Sequence, residues 1–92
     1  MAVKVTEYQP GRILHEAIIG SFRANGDNLN AWCVRNGVNK AVARNVTHGQ
    51  TGGTKSKVLL ERIIEAAGVE TVSHLYEQRM AAHMADLNRV VS

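Results

Sequence analysis

The sequence predicts an all-α fold, a compact bundle of about five helices in which two short ones meet at a tight corner and a longer one closes the chain. Three observations point there. Apolar residues recur at helical spacing over 11–24 and 55–67, with charged residues on the opposite side. Glycine follows Asn25, Asn36, His48 and Ala67, each at the close of such a pattern, as expected where a chain leaves a helix through a left-handed residue. Pro10, the single proline, stands where it can open a helix and interrupts none.

Residues 1–9 read as a flexible N-terminal arm. VKVTEY alternates apolar and polar side chains, but a lone strand without a partner is marginal. Helix 1, over 11–24, gathers Ile13, Leu14, Ala17, Ile18 and Phe22 on one face and Arg12, Glu16 and Arg23 on the other. In helix 2, over 28–35, Leu29, Trp32 and Cys33 share a face. Cys33 is therefore expected as a small buried hydrophobe and Trp32 as a core residue rather than a stacking platform. The link to helix 3 is three residues long: Gly37 supplies the positive φ, Val38 an apolar plug, and Asn39 is placed to cap the next helix.

On a wheel of helix 3, over 39–47, Val42, Ala43 and Val46 fall within about 60° of Asn39 and are expected to pack inward. Lys40, Ala41, Arg44, Asn45 and His48 then face outward. After a loop at 49–54, helix 4 (55–67) turns Leu59, Leu60, Ile63, Ile64 and Ala67 inward and Glu61, Arg62 and Glu65 outward, with Thr54 or Ser56 expected to cap its first amides. Helix 5, over 71–90, carries a stripe of Val72, Leu75, Tyr76, Met80, Leu87 and Val90, with Arg79 and His83 near its middle.

Composition narrows the classes. With 92 residues the chain fits one small unit and its core must be economical. No long apolar run suggests a membrane span, and no charged start followed by an apolar segment suggests a secretory leader, so a cytoplasmic, nucleoid-associated protein is expected. A single cysteine cannot form an internal disulfide, and neither it nor the four histidines offers metal-ligand spacing. GQTGGTKSK has a phosphate-loop composition, but GxxxxGK[ST] is absent and no apolar strand precedes it. No carboxylate pair or Ser/Cys–His pairing is visible. The expectation is a non-enzyme with no cofactor, metal or small-molecule ligand.

Charge placement is more informative than the net +3. Residues 28–60 hold five cations, Arg35, Lys40, Arg44, Lys55 and Lys57, and no Asp or Glu, which leaves the rest of the chain net acidic. An acid-free surround is what approach to a polyanion requires, because a carboxylate would oppose phosphate contact and counterion release. The outward side of helix 3 also carries the donors a major groove can use: arginine or lysine for guanine, asparagine for adenine, an alanine methyl for thymine.

The run NLNAWCVRNGVNKAVARNVTHG, residues 28–49, resembles the helix-turn-helix of lambda-repressor-like and Cro-like regulators, including the small Ner-like regulators of Mu-type phages. The match lies in a small residue, a turn glycine, an apolar residue, a polar cap and two inward apolar positions: Cys33, Gly37, Val38, Asn39, Ala43 and Val46. It extends over residues 13–69, with LLERIIEAAGV similar to the helix that closes such domains. Cys33 stands for the commoner alanine, and Asn36 for an apolar residue, which is expected to loosen packing at the turn. The resemblance implies that helix 3 is the recognition helix. By position in the motif, Lys40, Ala41, Arg44 and Asn45 are then candidates for base edges, with Asn39 and His48 at the ends of the contact. Phosphate contacts are expected from Asn28, Asn30, Lys55, Ser56 and Lys57 at or near the starts of helices 2 and 4, and from Arg35 at the end of helix 2.

The stripe on helix 5 exceeds what one small core needs. It either folds back on its own domain or packs on a second copy, and the second is the expectation: Val72, Leu75, Tyr76, Arg79, Met80, His83, Leu87 and Val90 forming a two-fold interface that sets two recognition helices about 34 Å apart. The organisation expected is thus an arm (1–9), a helix-turn-helix domain (10–69) and a C-terminal dimerisation helix (70–92). The function expected is a sequence-specific double-stranded DNA-binding regulator of prokaryotic or phage type, acting as a homodimer on a palindromic operator and repressing by occupancy. The alternative is an adaptor or antitoxin-like module that binds protein through helix 5.

Overall fold

The computed structural model of the chain describes residues 9–50 and 52–91, with side chains described through Leu87. Five helices follow in order: α1 Arg12–Ala24, α2 Leu29–Asn36, α3 Lys40–Thr47, α4 Thr54–Ala67 and α5 Val69–Val91. No strand occurs among the described residues. The expected arm at 1–9 lies, except for Gln9, outside them.

α1 is the centre of the bundle and packs against α3, α4 and α5, because its apolar residues recur every three or four positions. Leu14, Ala17, Ile18 and Phe22 are fully buried, as are Ile63, Ile64 and Ala67 of α4. Each large side chain so buried contributes about 1.5–3 kcal/mol. Leu29, Trp32 and Cys33 join this core from α2 and Ala43 and Val46 from α3. Burial pushes the Cys33 thiol above its ordinary pKa, which suits a packing residue.

The α2–α3 corner is built as its residues suggest. Gly37 adopts φ 66°, and the amides of Gly37 and Val38 return to the carbonyls of Val34 and Cys33, closing α2 in a Schellman arrangement. Asn39 Oδ1 accepts from the amides of Ala41 and Val42, and Asn28 Oδ1 from that of Ala31. Asn36 Nδ2 donates to the Trp32 carbonyl at 2.8 Å, within its own helix.

Three expectations on the elements need correction. The cap of α4 is Gly53, without a side-chain hydrogen bond; Thr54 is the first helical residue, and Ser56 Oγ donates back to the Gly52 carbonyl. Val42 is 47% exposed, because the buried face of α3 is set by Ala43, Val46 and Thr47 and is centred about 90° away from Val42 on the wheel. The hydroxyl of Thr47 is satisfied inside, which lets a polar residue take the inner position expected of a valine.

The third concerns α5, which starts at Val69, one glycine after α4. The Ala67 carbonyl at this junction accepts from both Ser21 Oγ and Asn25 Nδ2 of the α1 end, so α4 closes against α1. Val72 and Tyr76 of α5 belong to the common core, and Leu75 and Met80 pack against it. Tyr76 Oη accepts from the Gln9 amide at 3.0 Å, and Arg79 donates to Glu16 of α1 at 2.8 Å. These five residues, expected at an interface between copies, serve the chain's own packing. His83 and Leu87 remain exposed, and the side chain of Val90 lies outside the described residues.

Candidate functional site

The outer side of α3 forms one wall of an open groove of about 810 Å³. Lys40, Ala41, Arg44 and Asn45 line that wall, and Asn28, Leu29 and Asn30 close one end from the start of α2. The opposite wall is a stripe of α1, His15, Ile19 and Arg23, spaced four residues apart so that all three share a face. Gln50 completes the lining.

No carboxylate lines this groove, and three cations do: Arg23, Lys40 and Arg44, all exposed. Among the described residues none of the three is ion-paired. The groove therefore concentrates positive charge, and its neutral lining adds amide donors from three asparagines and Gln50. A second groove, between the start of α1 and the later half of α5, is of mixed sign. There Glu16 takes both Arg12 and Arg79, and these guanidiniums hold its carboxyl below the usual range, the Arg12 hydrogen bond being the main cause.

His48 and Arg35 each make contacts of their own within the chain. The His48 ring stacks on His15 of α1 with centroids 4.0 Å apart, and its Nδ1 lies 2.9 Å from the Arg44 carbonyl. A carbonyl only accepts, so His48 Nδ1 carries the proton. A ring held this way closes the end of α3 and leaves Nε2 as its remaining polar atom. Arg35 is bound by both oxygens of Asp27, at 3.2 and 2.6 Å, and its guanidinium in turn holds that carboxyl below the usual range. Asp27 lies just before the acid-free segment, so the sequence pattern hid the neutralisation of Arg35.

The remaining candidates divide. Asn39 is exposed beside the groove with its oxygen engaged as a cap. Lys55 and Lys57 are exposed and Ser56 half-buried on the first turn of α4, and none of them lines the groove.

Sequence reading missed the α1 wall. The i, i+4, i+8 spacing of His15, Ile19 and Arg23 was the available signal, but a helical wheel does not say which outer stripe faces a neighbour. His15 is fixed there by Thr47, whose Oγ1 lies 2.8 Å from His15 Nδ1 and donates to the Arg44 carbonyl at 2.9 Å. With the hydroxyl proton so used, His15 Nδ1 is the donor in that pair. Among the described residues no cluster of three His, Cys, Asp or Glu could hold a metal ion, and no helix is long and apolar enough to cross a membrane. In comparison with known proteins, no family model, curated protein or solved structure matches the chain.

Proposed function

We propose that the chain is a sequence-specific double-stranded DNA-binding regulator of prokaryotic or phage type, which inserts α3 into the major groove and represses by occupying its site. The observation that carries this reading is the outer face of α3: Lys40, Ala41 and Arg44 exposed on a helix whose other side is buried by Ala43, Val46 and Thr47, in an acid-free groove. A helix of about 10–12 Å diameter fits a major groove about 12 Å wide. Arg44 and Lys40 suit guanine O6 and N7, Asn45 the N6 and N7 edge of adenine, and Ala41 a thymine methyl. Exposed Val42 adds a second apolar contact of that kind. The resemblance of residues 28–49 to repressor helix-turn-helix units supports the same orientation.

Binding as a homodimer fits the modest number of cations, since duplication raises effective affinity without new contacts per copy. The surface left for it is the outer end of α5, with His83, Met84 and Leu87 exposed. The same exposed methionine and leucine favour the second reading, a helical module that binds another protein through α5. Salt separates the two readings, because DNA affinity falls steeply with ionic strength through counterion release and an apolar protein contact does not.

The test begins with selection of duplexes from a random library. On the selected duplex Arg44→Ala should cost about 1–3 kcal/mol and relax the preference at one base pair, measured by competition at fixed salt. Equal losses on selected and random duplex would remove Arg44 from the bases.

A further inference from the structure

Arg23, in the last turn of α1, lines the acid-free groove opposite a wall that belongs to α3. The other α1 cation, Arg12, is tied to Glu16 at the opposite end of the helix. Asp27, the nearest acid in sequence, holds Arg35 with both oxygens. Arg23 is thus exposed across the groove from Lys40 and Arg44, with no carboxylate among the lining residues.

We propose that this groove seats one sugar–phosphate strand of the bound duplex, with Arg23 holding a phosphate from the α1 side while α3 reads base edges from the other; this rests on the DNA-binding reading above. Charge complementarity names the occupant. A groove with cations on both walls and neutral amide donors, Asn30 and Gln50, in its lining matches a chain of anions whose charge repeats along its length. A strand held between α1 and α3 also fixes the angle at which α3 enters the major groove, so the contact positions the protein without reading sequence.

The experiment is a salt titration of duplex binding by the full chain, on the selected duplex and on a random one, for wild type, Arg23→Gln, Arg23→Lys and Arg12→Gln. Loss of a single phosphate contact lowers the slope of log K against log salt by about 1. Arg23→Gln should show that drop and weaken both duplexes by the same factor, Arg23→Lys should restore the slope, and Arg12→Gln should match wild type. Equal weakening by Arg12→Gln would reduce the effect to net charge and overturn the proposal. Loss on the selected duplex alone would overturn it too, by making Arg23 a base reader. An unchanged Arg23→Gln beside a weakened Arg44→Ala would overturn the seated strand and leave the function standing, whereas a wild-type chain that binds neither duplex would overturn both.

Discussion

His15 holds its proton less readily than a free imidazole. Burial is the main cause, and the positive charge of the stacked His48 and of Arg44 adds to it, with Glu16 opposing. The folded pKa lies below the ordinary 6.5, so as pH falls the unfolded chain takes up this proton first. The stabilising contribution of neutral His15 is therefore complete above 6.5, declines as pH drops below it, and stops changing once the folded pKa is passed. Glu16 and Asp27, whose carboxyls lie below their usual range, lose their contributions only in more acidic solution, so the windows are separate. Urea unfolding on either side of pH 6.5 should show a lower midpoint on the acid side for wild type and a smaller difference for His15→Gln. Equal differences would mean that the ring is not held neutral by its surroundings. None of this was legible from the sequence, because the contact joins residues 32 apart and depends on Thr47 being inside.

At the scale of the element, α3 is held at both ends, by Asn39 at its start and by the beginning of α1 at its finish. There the Gly11 amide donates to the Thr47 carbonyl, and Gly49 passes so close to Pro10 that a Cβ would lie 2.8 Å from the Pro10 carbonyl oxygen. Gly37 and Gly49 have similar positive φ, 66° and 75°, but a Cβ on Gly37 would meet nothing. Alanine at either position incurs about 1–2 kcal/mol of backbone strain. Gly49→Ala must in addition displace the α1 start, whose clashing atom is backbone and cannot swing aside. Thermal unfolding should therefore rank Gly49→Ala well below Gly37→Ala, and near-equal values would show that the Pro10 contact yields freely. The sequence made both glycines visible as helix ends, since the left-handed requirement is local. The cost of the neighbour was not visible, because it comes from a segment far away in sequence. Val42 failed for a related reason: which face of α3 turns inward depends on a buried threonine satisfied by another element.

Over the whole molecule, α5 has two parts that an apolar stripe could not separate, because periodicity reveals a face without saying what covers it. Val72, Leu75, Tyr76 and Met80 are covered by the chain itself, with Arg79 tied to α1, so the first half of α5 is core. Past Met80 the helix continues to Val91 with Met84 51% and Leu87 45% exposed. Met84 and Leu87 follow the covered Met80 at intervals of four and three, the seam spacing of paired helices, so the face that is core up to Met80 runs on exposed. A charge placed at Leu87 enters no core, and exposed helix substitutions change stability by about 0.5 kcal/mol or less. If two copies meet along this seam, however, Leu87→Glu sets like charges across a two-fold axis and desolvates them. Sedimentation equilibrium should then show wild type associating and Leu87→Glu monomeric, and the melting temperature should rise with protein concentration for wild type only. Affinity for a single half-site should stay the same, while affinity for the palindrome drops, because only the second binding event depends on the link. A variant as associated as wild type would remove the end of α5 from the assembly, and one that melts well below wild type even at dilutions where wild type is monomeric would mean that Leu87 belongs to the core after all.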